Sequence, residues 1–336
     1  MEEYGYVNYY IALTAILMSI NLLGLDITVT TYRAKGDRAV AGEANFVVLL
    51  LSASFFLALG LFGLPLPAAL LVFESFLTMS LAEALGDKSY REYMIARFTQ
   101  KLIQICLSIP LYLLWGINAV FIGFFTSYAV FSYRFFWSLL SFRLKLNSLG
   151  SKLNFAVHSY LIRLTDSLAA YLDKLLIGIL LGLSALGLYQ LSYQFFMLSA
   201  ILPSSLFRYL LPEEAKGSDK GKIKRLGVLA SITLTVSIIT FSPAIIDLLF
   251  PNFREATPMV RLMSLAMIPT TFVSIHRAEL LGGERSRPAV EGNLIYIVVE
   301  ILGIVTLGAM WSLVGMALSV ILAFTANALY LHFKTH

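Results

Sequence analysis

The chain has 336 residues, of which 58% are hydrophobic and only 13% are charged, and its mean hydropathy is +0.80. A soluble domain carries about 25% charged residues because its surface faces water, so this composition excludes an ordinary soluble domain and predicts a lipid-facing surface. The net charge of +5 comes without a basic stripe interleaved with aromatic residues, which argues against nucleic-acid binding.

Apolar runs of roughly 20 residues are long enough to cross the hydrocarbon core as helices. The sequence contains eleven such runs, and we therefore predict an all-α integral membrane protein. The segments "GLPLP" and "WGIN" are turn signals that divide two pairs of closely spaced runs. In chain order the predicted spans cover residues 7–27, 43–63, 66–86, 95–115, 117–137, 153–181, 184–211, 226–249, 257–281, 288–309 and 312–333.

The connections between the spans alternate in charge. One set holds most of the 25 basic residues, including Arg97 and Lys101, which we count with the third connection, whereas the other set holds only Arg254. Basic residues are retained on the cytoplasmic side of a membrane. We therefore predict a multi-pass protein of the cell membrane with its C-terminus in the cytoplasm and its N-terminus outside.

The two halves of the sequence resemble each other. The stretch "EEYGYVNYYIAL" matches "ALGLYQLSYQFFML", so that Gly5 corresponds to Gly187, and Trp115 corresponds to Trp311. Because the matched helices run in the same direction, we predict parallel repeats: an N-terminal lobe of five helices, 1–146, and a C-terminal lobe of six, 147–336. The span 153–181 has no counterpart in the first half, so we expect a first helix about thirty residues upstream of Met1.

Several short motifs occur in an order that resembles the polysaccharide-transport branch of the multidrug/oligosaccharidyl-lipid/polysaccharide exporter superfamily. Members begin their second helix with a Glu-Glu-Tyr-Gly turn and continue with Gly-Leu and a later Arg. Their second half opens with Asp-Lys, Ile-Gly and further glycines before a Tyr. The matching residues here are Glu2, Glu3, Tyr4, Gly5, Gly24, Leu25, Arg33, Asp173, Lys174, Ile177, Gly178, Gly182, Gly187 and Tyr189.

The resemblance implies a flippase that moves polyprenyl-pyrophosphate-linked oligosaccharide across the membrane for polysaccharide or glycan biosynthesis. Its two lobes would surround a central cavity and expose it to one side at a time. The five N-terminal helices would then correspond to helices 2–6 of the family pattern and the six C-terminal helices to helices 7–12. A chain without the first helix departs from that pattern, which leaves an inactive N-terminally truncated remnant as an alternative.

The span 153–181 carries unusually many ionisable residues for a membrane helix, where such residues are costly and are functional candidates. Arg163 is a candidate phosphate ligand because its planar fork donates two parallel hydrogen bonds. Asp166 and Asp173 follow on nearly the same face, and Asp166 is the expected switchable partner of Arg163. The alternative is an internal Arg163–Asp166 pair that only neutralises two buried charges.

Three further basic residues are substrate-binding candidates. Lys174 follows Asp173, and the alternative is a helix-end pair or a lysine that extends to the surface. Arg208 lies near the cytoplasmic end of its span, where extension to the surface is the alternative role. Arg261 lies in the outer half of its span, and anchoring to outer headgroups is its alternative role.

Two glutamates, Glu74 and Glu300, fall near the middles of their spans. Each is a candidate for binding a coupling H⁺ or Na⁺, and the alternative is a protonated glutamate hydrogen-bonded between helices. Asp26 and Glu83 lie closer to the cytoplasmic ends, and we expect them to be solvated.

The leading hypothesis is therefore a lipid-linked oligosaccharide flippase whose partners are its substrate and the membrane lipids. An ion-coupled multidrug exporter of the same superfamily is the alternative transporter, although an internal Arg163 suits an anionic cargo better than a cationic drug. No loop carries the carboxylate cluster that a membrane enzyme would need, so we predict that the chain is not an enzyme. One cysteine, Cys106, and four histidines without ligand spacing predict no metal site and no other cofactor.

Overall fold

The computed structural model describes residues 1–140, 147–217 and 220–335, except for the side chain of Asn147. Throughout these ranges every regular element is a helix, which confirms the predicted all-α membrane fold. The predicted lobe boundary at residues 146 and 147 lies at the edge of the first gap and stays a prediction.

Within the described ranges, nine α-helices precede residue 182. Short breaks separate most of them, and a single 3₁₀ turn, Ile117–Ala119, leads into the sixth. They are α1 (Glu2–Leu22), α2 (Leu25–Ala34), α3 (Ala39–Leu61), α4 (Pro65–Gly86), α5 (Tyr90–Trp115), α6 (Val120–Val130), α7 (Tyr133–Leu140), α8 (Asn147–Gly150) and α9 (Leu153–Leu181).

The described part of the chain after residue 182 contains seven α-helices. A 3₁₀ segment, Pro251–Ala256, precedes the fourth of them, and a π-helical turn, Ile304–Gly308, lies between the last two. They are α10 (Leu183–Ser199), α11 (Ile201–Ala215), α12 (Gly221–Leu249), α13 (Thr257–Leu265), α14 (Met267–Gly282), α15 (Ser286–Gly303) and α16 (Ala309–Thr335).

Every predicted span falls on a helix or on consecutive helices, but fewer separate membrane spans are distinguishable than the eleven predicted. In the described ranges eight helical segments are long and apolar enough to cross a membrane, or nine if α6 and α7, which meet at 47°, form one bent span. The last two predicted spans lie in one helical stretch, Ser286–Thr335. Helix α9, which carries four charged residues, falls outside the set.

The two predicted turns divide helices as expected. Gly63 lies between α3 and α4 with φ 76°, and Gly116 lies after α5 with φ 79°. Both values fall in the left-handed region, which glycine enters without the steric cost that a Cβ imposes. The glycines therefore let the chain reverse within a few residues and start the next helix.

The chain forms two compact units. The first unit is Tyr10–Leu172, and the second unit combines Met1–Tyr9 with Asp173–His336. Helices α1 and α9 each contribute residues to both units. In the first unit the core includes Leu22, Val29 and Met79, and in the second it includes Ile177 and Met316.

Many large apolar side chains remain on the surface of both units. Leu57, Leu113 and Trp137 are each more than 60% exposed in the first unit, as is Leu248 in the second. Contiguous exposed apolar surface of this kind is unfavourable in water but favourable against hydrocarbon. The surface therefore fits the lipid environment that the composition predicts.

Candidate functional site

Helix α9 approaches the start of α2 closely in the first unit, and Gly24 makes that approach possible. Gly24 has φ 70°, and a Cβ built on it would lie 2.4 Å from the backbone nitrogen of Tyr160. Any larger residue would push the two helices apart. The contact lies one helical turn before Arg163 and two residues before Asp26, so it brings these two side chains together.

Arg163 forms an ion pair with Asp26, to which its Nη1 donates a hydrogen bond. This partner differs from Asp166, the predicted one, which is exposed. The prediction that Asp26 is solvated is also wrong, because Asp26 is only 8% exposed. The close contact of α9 with Gly24 explains why Asp26 is buried and why Arg163 pairs with it, because the contact encloses Asp26 and brings Arg163 next to α2.

Arg163 also belongs to a cluster of basic side chains around Glu74. Glu74 on α4 lies within electrostatic range of Lys101, Arg97 and Arg163. Lys101 Nζ further donates to Gln104 Oε1 at 3.0 Å. We call this group, together with Asp26, the cationic cluster. It contains three basic residues and two carboxylates, so it has one positive charge in excess.

Sequence reasoning missed Arg97 and Lys101 because it counted them with a cytoplasmic connection. The structure places both well inside α5, which begins at Tyr90. The available signal was their spacing: residues four apart share one face of a helix. Gln104 follows on the same face and extends its polar character.

Polar side chains next to the cationic cluster offer neutral hydrogen-bonding groups. Gln100 Nε2 donates to Gln104 Oε1 at 2.9 Å and to Ser127 Oγ at 3.1 Å. Tyr128 on α6 lies within electrostatic range of Glu74. Amides and phenols of this kind are suited to the hydroxyl groups of a sugar.

A second ionic network joins α2, α4 and α7 in the first unit. Arg33 donates to Glu83 at 2.9 Å and to Asp87 at 2.7 Å, and Arg134 donates to Asp87 at 2.7 Å. Asn45 Nδ2 donates to Glu83 Oε1 at 2.8 Å. The expectation that Glu83 is solvated is therefore wrong: it is 1% exposed and is held by this network.

This network makes stability depend on pH. Hydrogen bonds from the Arg33 guanidinium, and then from Arg134, hold the pKa of the Asp87 carboxyl below its usual value of 3.8. The stabilisation is therefore complete above the usual value and is lost as the pH falls through the lowered pKa.

We expect Asp87→Asn to lower the free energy of unfolding by about 1–2 kcal/mol at neutral pH, because charge-assisted hydrogen bonds are lost from a partly exposed group. The difference from the unmodified chain should shrink below about pH 4. Chemical denaturation across a pH series measures it. Asp247→Asn is the control, since Asp247 pairs with Arg254 at an exposed site. A deficit that persists unchanged at pH 3 would contradict the assignment.

The second unit contains a buried cluster built around Asp173 and Lys174. Lys174 Nζ lies 3.1 Å from both carboxylate oxygens of Asp173, and Tyr189 Oη donates to Asp173 Oδ2 at 2.6 Å. Lys174 Nζ also lies 4.1 Å from the centre of the Tyr193 ring. Asp173 and Lys174 are each 4% exposed, so Lys174 does not extend to the surface.

Glu300 completes this group, which we call the acidic cluster. Its carboxylate accepts a hydrogen bond of 2.7 Å from Tyr296 Oη one helical turn away, and it interacts electrostatically with Asp173 and Lys174. Glu300 is 4% exposed. Two carboxylates and one ammonium leave one negative charge in excess, which a proton or a small cation would neutralise.

The other two basic candidates lie outside both clusters. Arg208 on α11 is exposed, and Arg261 on α13 is exposed and donates from Nε to the carbonyl of Ile239 at 3.0 Å. Their substrate-binding roles remain predictions.

Solved structures of membrane transporters share the fold of this chain. Lipid II flippase MurJ in an inward closed conformation matches with a TM-score of 0.79 at 12% identity, over 98% of this chain and 81% of that one. An inward-facing multidrug resistance MATE family transporter of the MOP superfamily matches with a TM-score of 0.73 at 14% identity, over 99% and 90%. A MOP superfamily transporter from Pyrococcus furiosus matches with a TM-score of 0.57 at 14% identity, over 99% and 87%.

The chain belongs to the family described as "Polysaccharide biosynthesis protein", whose pattern matches residues 46–235. This membership, together with the shared fold, confirms the resemblance to the polysaccharide-transport branch of the exporter superfamily. No curated protein matches the chain.

Proposed function

We propose that the chain is a flippase that carries a polyprenyl-pyrophosphate-linked oligosaccharide across the cell membrane by alternating access. The observation that carries the proposal is the cationic cluster, in which Arg97, Lys101 and Arg163, on helices of a membrane protein, outnumber the carboxylates of Glu74 and Asp26. Membership of a polysaccharide biosynthesis family and the fold shared with a lipid II flippase support the same cargo class.

The cargo has a diphosphate that must leave water to cross the bilayer. Moving a charge into a medium of low dielectric costs several kcal/mol unless opposite charges and hydrogen bonds replace its hydration. Arg163 can supply a planar fork to one phosphate, and Arg97 and Lys101 can supply further positive charge. Hydroxyl groups of the first sugars would form hydrogen bonds with the neighbouring Gln100, Gln104 and Tyr128.

We assign ion coupling to the acidic cluster. Lys174 already neutralises one of its carboxylates, so the cluster needs only one further positive charge, which H⁺ or Na⁺ would provide at Glu300. Binding and release of that ion would bias the second unit between two states, because an unpaired buried charge is costly. Glu74 and Asp26 act in this proposal as charge partners of the basic residues.

The test is transport by the purified full-length chain in proteoliposomes loaded with a polyprenyl-pyrophosphate-linked oligosaccharide. Cargo that reaches the outer leaflet becomes accessible to an added glycosidase, and the rate is measured under an imposed H⁺ or Na⁺ gradient. We expect gradient-dependent exposure of the cargo. The excess negative charge of the acidic cluster also suits a cationic compound, so efflux of a cationic dye is measured in parallel. Dye efflux without cargo exposure would identify a multidrug exporter, and neither activity would indicate an inactive remnant.

A further inference from the structure

The ion pair between Arg163 and Asp26 uses only part of what each group offers. Among the described residues, Arg163 Nε is buried and has no hydrogen-bond partner, and the buried Asp26 Oδ1 accepts no hydrogen bond from another side chain. Arginine and aspartate at a structural site commonly pair through two parallel hydrogen bonds, which satisfies both forks. In this pair only Nη1 of Arg163 bonds to only Oδ2 of Asp26. The buried Nε of Arg163, the side chain proposed to hold the cargo, is left without an acceptor.

We propose that Asp26 is a resident anion that occupies Arg163 in the empty protein and is displaced by the diphosphate of the cargo. This inference rests on the proposed function. A diphosphate has more negative charge than a carboxylate and more oxygens at the spacing of the guanidinium fork, so it can engage Nε as well as the terminal nitrogens.

Competition between Asp26 and the diphosphate for Arg163 would assist transport both in the empty state and in the cargo-bound state. While the site is empty, Asp26 keeps the buried guanidinium neutralised and correctly placed, because an unpaired buried charge is strongly destabilising. Once cargo is bound, Asp26 has lost its positively charged partner and is nine-tenths buried. Its tendency to recover Arg163 lowers the affinity for cargo and promotes release on the far side.

The experiment measures binding of farnesyl diphosphate to the purified full-length chain by isothermal titration calorimetry. We expect Asp26→Asn to tighten binding about tenfold, a size typical of coupling between two ligands of one site. The asparagine oxygen can still accept the hydrogen bond from Arg163, so the fold should be kept, and unfolding temperatures check this. Asp26→Ser removes the same negative charge with a smaller, hydroxyl-bearing side chain, and it should also tighten binding.

Three comparisons decide the outcome. Asp247→Asn, at the exposed pair with Arg254, should leave the affinity unchanged. In an Arg163→Ala background the gain from Asp26→Asn should vanish, because the competition acts only through Arg163. Equal or weaker binding by both folded Asp26 variants, or a gain from Asp166→Asn instead, would overturn the inference. If Arg163→Ala itself leaves binding intact, the proposed function fails and not merely this refinement.

Discussion

Arg163→Ala is expected to reduce flipping of a polyprenyl-pyrophosphate-linked oligosaccharide by about 30-fold or more. Loss of one partner from a buried, hydrogen-bonded charge pair costs about 2–5 kcal/mol, and each 1.4 kcal/mol is a factor of ten. The substitution removes the guanidinium fork that would face the diphosphate. It also removes one of the positive charges that interact with the Glu74 carboxylate. The rate of cargo exposure in proteoliposomes measures the effect.

A matched series separates charge from geometry. Arg163→Lys keeps a positive charge but loses the planar fork, so we expect intermediate transport. Arg287→Ala removes a guanidinium that is 90% exposed and pairs with Glu291, and it should transport normally. Because Arg163→Ala leaves Asp26 buried without its partner, the double variant with Asp26→Asn restores charge balance and should remain inactive. A folded Arg163→Ala variant that transports at the normal rate would remove the cationic cluster from the mechanism.

The apolar runs alone were sufficient to predict the helices. A membrane helix satisfies its own backbone hydrogen bonds, so it can be recognised in a sequence by the length and hydropathy of a single segment. Ionisable residues within the spans could be identified in the same way. Arg163, Asp173 and Glu300 each stand out as ionisable residues in an apolar context, and each lies in a charged cluster in the structure.

Partners distant in sequence could not be predicted. Asp166 was predicted as the partner of Arg163 because it is only three residues away in the sequence. Asp26 is far away in the chain and becomes a neighbour of Arg163 through the Gly24 contact. Glu83 was expected in water because it lies near a helix end, but Arg33 reaches it from α2. Arg97 and Lys101 fall within the predicted span 95–115 but were counted with the cytoplasmic connection before it, because the start of α5 carries no sharp apolar boundary.

Removal of the ammonium from the acidic cluster should have the largest effect on stability. Lys174→Met preserves most of the side-chain volume but leaves the Asp173 carboxylate buried without its positive partner. Breaking a buried pair in this way costs about 3–5 kcal/mol, whereas replacing both partners can be nearly neutral. We therefore expect a large loss in Lys174→Met and a substantial recovery in the double variant with Asp173→Leu, which lacks both charges.

Denaturant unfolding in bicelles measures these differences, and transport separates stability from coupling. Lys334→Met, at an exposed lysine near the end of α16, is the control and should change little. The double variant removes one charge of each sign and leaves the negative charge of Glu300 in place, so it should be stable and keep its response to an ion gradient. If Lys174→Met were as stable as the unmodified chain, Asp173 would have to be protonated without its lysine, and the charge balance assigned to the acidic cluster would be wrong.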